Sequence, residues 1–115
     1  MLGVFASASL SMGSSPRAPK SREELADDNR MHAANLAVRA VRRALREPES
    51  AVFEGVHVGE SATEVCVSYR ARNGFGGISR EHLVFLDGVP SQRRSSWNSH
   101  CARKNLYDYT AALRS

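Results

Sequence analysis

Two cysteines, Cys66 and Cys101, and four histidines, His32, His57, His82 and His100, carry most of the chemistry available to this chain of 115 residues. A thiol can pair into a disulfide, ligate a metal or attack an electrophile, and an imidazole can activate it. A zinc site needs ligands in closely spaced pairs. Here the cysteines stand 35 residues apart, and His100 neighbours Cys101 too directly to chelate with it. The histidines fall on four separate segments, and none belongs to a zinc-protease or hydrolase pattern. Asp87 and Asp108 have no recognisable carboxylate partner. The expectation is a non-enzymatic chain with no metal and no cofactor.

For the two thiols the choice is between a disulfide and two buried free cysteines of a cytosolic protein. The even count favours the disulfide. So does the start, Met1-Leu2-Gly3-Val4-Phe5-Ala6-Ser7-Ala8, which looks like the end of a secretory apolar region with a small-x-small cleavage site. It lacks a positive leader and its apolar stretch is short, so it also reads as a flexible arm. No apolar run is long enough for a transmembrane helix.

Between the cysteines runs Tyr69-Arg70-Ala71-Arg72-Asn73-Gly74-Phe75-Gly76-Gly77. Asn73-Gly74 supports positive φ in a tight turn, and Gly76-Gly77 permits a second turn or the close approach of another backbone. Phe75 either folds back on the core or stands exposed among Arg70, Arg72 and Arg80, able to dock in a partner's pocket or stack on a base. An RNA-recognition motif around Gly74-Phe75-Gly76 fails, because Gly77 stands where an aromatic is required. The expected partner-binding set is Arg70, Arg72, Asn73, Gly74, Phe75, Gly76, Gly77 and Arg80. Its partner would be an acidic protein surface or another anionic component of the cell envelope.

The elements that must position these residues are legible in outline. Ser21-Arg22-Glu23-Glu24 forms a capping box. Met31, Ala34, Val38, Val41 and Leu45 recur at helical spacing, and Pro48 disfavours helix at Glu47. A helix over residues 21–46 follows, acidic at its start and carrying Arg39, Arg42, Arg43 and Arg46 at its end, as the helix dipole favours. Those four arginines also offer a nucleic-acid face, although a net charge of +4 is modest for that purpose. Residues 51–58, 64–71 and 78–86 read as strands separated by turns. Asp87-Gly88 and Pro90 end the third, residues 91–98 are polar and hard to assign, and Leu106, Tyr109 and Leu113 fit a short helix.

Glu47-Pro48-Glu49-Ser50-Ala51-Val52-Phe53, Val65-Cys66 and Ala71-Arg72-Asn73-Gly74-Phe75-Gly76-Gly77 resemble a group of small uncharacterised bacterial proteins. That group carries a DPDSAxF-like stretch, a VCGxVNAKNxFGG-like hairpin and often a late cysteine. Arg72 stands in place of the usual lysine and Ile78 in place of an aromatic. The resemblance implies an exported or prophage-associated protein with a disulfide, and carries no activity.

The expected fold is α+β, one long N-terminal helix packed on a three- to four-stranded antiparallel sheet with a short C-terminal helix. Residues 1–20 form an arm or signal remnant, and residues 21–115 a single domain. The expected role is a secreted or periplasmic protein-binding module that presents the hairpin tip. Two alternatives stay open: a cytosolic or phage-encoded nucleic-acid binder using the helix arginines, and an inhibitor or immunity protein.

Overall fold

The computed structural model describes residues 18–102 and 105–114; the signal-like start and most of the linker composition before Ser21 lie outside them. The architecture is α+β. Helix α1 (Arg22–Ala44) is followed by a 3-10 turn (Pro48–Ser50), then β1 (Val52–Val58), β2 (Glu64–Arg72), β3 (Ile78–Leu86) and β4 (Val89–Ser91). Helix α2 (Arg94–His100), β5 (Tyr107–Asp108) and α3 (Thr110–Leu113) complete it. The sheet is antiparallel in the order β4-β3-β2-β1-β5.

The capping box forms as its residue types require. Ser21 Oγ accepts from the Glu24 N–H at 3.1 Å, and the Glu24 carboxylate accepts from the Ser21 N–H at 2.8 Å. The helix ends before Pro48 compels it to, because Leu45 is already extended and its N–H bonds the Arg42 carbonyl at 3.2 Å.

Along β2 the side chains alternate between two environments. Val65, Val67, Tyr69 and Ala71 are buried against Ala34, Ala37, Val38 and Val41 of α1, together with Phe53, Val56 and Val58 of β1. Cys66, Ser68 and Arg70 point to the opposite face, which α2 crosses. A bulge at Glu54, between Phe53 and Gly55, keeps Phe53 and Val56 both on the core side.

Two short strands extend the three that the hydrophobic runs announce. Asp87 and Gly88 take φ of 49° and 84°, the two-residue turn that folds β4 back onto β3. At the other edge, Tyr109 N–H donates to the Val56 carbonyl at 2.8 Å and Phe53 N–H to the Arg114 carbonyl at 2.8 Å, so the C-terminal segment covers β1.

The buried Arg30 fastens α1 to that segment. Its guanidinium donates to the Tyr109 hydroxyl at 3.0 Å and to the Glu60 carbonyl at 3.1 Å, and lies 3.7 Å from the Tyr107 ring centre.

At the β5–α3 corner Asp108 accepts hydrogen bonds from the Thr110 hydroxyl and N–H, and these hold its carboxyl below the ordinary aspartate range. A carboxyl depressed by folding stabilises above its unfolded value of about 3.9 and stops doing so as pH falls through the folded value. Acid titration followed at the Thr110 amide should therefore show this corner loosening only below about pH 3.9. Loosening near neutrality would contradict it.

Candidate functional site

The β2–β3 hairpin tip is built around one side chain. Asn73 Oδ1 accepts from the Phe75 N–H at 2.9 Å and the Gly77 N–H at 3.0 Å, and its amide group donates to Ser79 Oγ at 3.0 Å. The Asn73 N–H bonds the Gly77 carbonyl at 2.8 Å and closes the loop. Gly76 sits at φ 85°, where a side chain would be strained. These contacts fix the backbone of the turn. Phe75 at its summit is 100% exposed, so it does not fold back on the core. Ile78, at the base of the tip, is 59% exposed.

The expected set divides in space. Arg72, Asn73, Gly74, Phe75, Gly76 and Gly77 share the tip. Arg70 and Arg80 pair with each other in register further down the sheet, on the face that α2 crosses, and both reach Glu54, at 3.8 Å and 3.3 Å. Arg72 lies 3.8 Å from Glu47. Arg46, read from sequence as part of a helix face, joins the tip instead. Its Nε lies 3.0 Å from where a Gly74 Cβ would be.

The other helix arginines are not equivalent. Arg39 and Arg43 are exposed. Arg42 is half-buried, donates to the Pro48 carbonyl at 3.0 Å and lies 5.0 Å from the Phe53 ring centre.

Three histidines that the sequence distributes over separate segments meet on the sheet face beneath α2. Ser68 Oγ is 2.9 Å from His82 Nδ1, and the His82 ring packs 4.9 Å from that of Trp97. His57 Nε2 is 3.7 Å from Asp108, and His100 Nδ1 is 2.7 Å from Glu64. Strand alternation gives the shared face of Cys66, Ser68 and Arg70, but only the register between strands brings His57 and His82 beside them.

The serine–imidazole contact invites comparison with a nucleophile and its base. Among the described residues, however, no carboxylate ion-pairs with His82, and Ser68 lies in mid-strand between β1 and β3, where ladder pairing uses the backbone donors an oxyanion would need. Among the described residues no group of three or more histidine, cysteine or acidic side chains is placed to hold a metal ion.

Cys66 and Cys101 are joined in a disulfide, with Cα atoms 5.9 Å apart. It links the middle strand to the residue that follows α2. No described helix is long and apolar enough to cross a membrane. The bridge is compatible with an extracellular location. No family model, curated protein or solved structure matches the chain.

Proposed function

We propose that this chain is a non-enzymatic binding module of the periplasm or cell exterior, which docks the β2–β3 tip against an acidic surface of a partner protein. The observation that carries this reading is a fully exposed phenylalanine on a turn whose backbone is held by its own asparagine. An aromatic in water gains free energy only when a partner covers it, and a turn ordered in advance loses little conformational freedom on docking. Arg46 and Arg72 beside it supply the cationic rim that an acidic pocket would complement. The same protruding loop suits an inhibitor that plugs a cleft.

Phe75→Ala is expected to leave the thermal midpoint unchanged and to weaken partner binding by about 2 kcal/mol, roughly thirtyfold. Cross-linked capture from envelope extract, followed by titration of the isolated partner with both proteins, measures this. Equal affinity of the two proteins would remove the tip from the interface.

A second reading draws on the exposure of Arg39 and Arg43 on α1 and of Arg46 just past its end. It requires nucleic-acid affinity that falls steeply with salt, and loss of that affinity on replacing these three arginines.

A further inference from the structure

We infer that β3 presents an open strand edge that takes up an extended partner segment alternating acidic and apolar side chains. This deepens the proposed use of the hairpin as a contact surface and rests on it.

The edge follows from register. The Asn73–Gly77 bond closes the loop, and pairing alternates from there along β2 and β3. Ser79, Glu81 and Leu83 therefore turn their backbone groups toward β2, while Ile78, Arg80 and His82 turn theirs away. The next outward residue, Val84, finds its partner in Ser91 of β4. β4 pairs only with Val84, Phe85 and Leu86, and among the described residues nothing pairs with the outward groups of Ile78, Arg80 and His82. Three consecutive outward positions form a template for one more strand.

The two flanks of this edge specify what the strand must carry. On the face crossed by α2, a cleft of about 500 Å³ is lined by Arg80, His82, Arg94 and Trp97. Glu54 is shared between Arg70 and Arg80, and Glu81 also lines the cleft, so the three guanidiniums of Arg70, Arg80 and Arg94 outnumber the two carboxylates by one. On the core face, a cleft of about 390 Å³ between α1 and the sheet is lined by Ala40, Tyr69, Leu83, Phe85 and Pro90. An added strand sends alternate side chains to these two faces. Acidic residues would meet Arg80 and Arg94, and apolar ones would fill the cleft beside Leu83. A second copy fits less well, because a two-fold pairing centred on Arg80 sets like charges opposite one another. Beyond Ile78 the edge leads directly to the tip, so one ligand can run along β3 and end against Phe75.

The test uses a synthetic peptide of alternating glutamate and valine, and a control of the same composition with the residues in blocks. Amide exchange by NMR is expected to slow about tenfold or more at Ile78, Arg80 and His82 with the alternating peptide, and not at Ser79, Glu81 or Leu83. Arg80→Pro removes one outward N–H, which a strand edge tolerates, whereas Arg80→Ala keeps it. Proline is expected to weaken binding about tenfold more than alanine. Equal losses, equal binding of the blocked peptide, or outward amides already slow without peptide would each overturn the proposal. Failure of the edge alone would leave the effect of Phe75→Ala on the natural partner intact. Failure of the tip alone would leave the proline–alanine difference intact.

Discussion

Replacing Cys66 and Cys101 with serine, or reducing the bridge, is expected to lower the unfolding free energy by about 3–4 kcal/mol. The bond closes a loop over a sequence separation of 35 residues, and opening it returns that chain entropy to the unfolded ensemble. The native state should also respond, and locally. No residue of α2 is fully buried. Besides the disulfide, the helix is held by Trp97 against His82 and by His100 against Glu64. Urea unfolding with and without reductant measures the first effect, and exchange at the α2 amides the second. A midpoint indifferent to reductant would show that the bridge contributes nothing.

Phe53→Ala should cost about 3–5 kcal/mol. The ring is completely buried, lies 5.9 Å from the Tyr69 ring, and has the Arg42 guanidinium 5.0 Å from its centre. Truncation leaves a void between the C-terminal end of α1 and the first two strands, and Arg42 loses the surface it covers. Phe53→Leu preserves most of the volume and should cost under about 1.5 kcal/mol. The difference between the two midpoints in denaturant is the measurement. Near-equality would mean that the site closes around the smaller side chain.

Where the sequence spoke through local chemistry, it was readable. Ser21 and Glu24 cap α1 because a capping box needs only four residues to form, and the three long strands appear where β-branched residues run between turns. The fourth strand was harder. Asp87-Gly88 is a strong hairpin signal, but Pro90 read as a stop, although a strand edge accepts proline readily.

Helix α2 carries its apolar contact on Trp97 alone, too little for a periodic pattern. Arg30 could not be read as buried, since its partners Glu60, Tyr107 and Tyr109 are remote in sequence. The tip was legible as a turn from Asn73-Gly74. The exposure of Phe75 depends on where the sheet ends relative to α1, and spacing alone does not contain that. Likewise the removal of Arg70 and Arg80 from the tip follows from the register of β2 on β3 and the reach of Glu54.

Helix α1 also gives the molecule a direction. Arg46, just past its end, lies against Gly74, while Arg30, 16 residues earlier and about two turns inside the helix, grips Glu60 in the β1–β2 turn. At about 1.5 Å per residue, roughly 24 Å separates these two anchors, and the helix runs about 12 Å further to its start. A support attached at the Ser21 end would therefore stand at the opposite end of α1 from the exposed Phe75 turn.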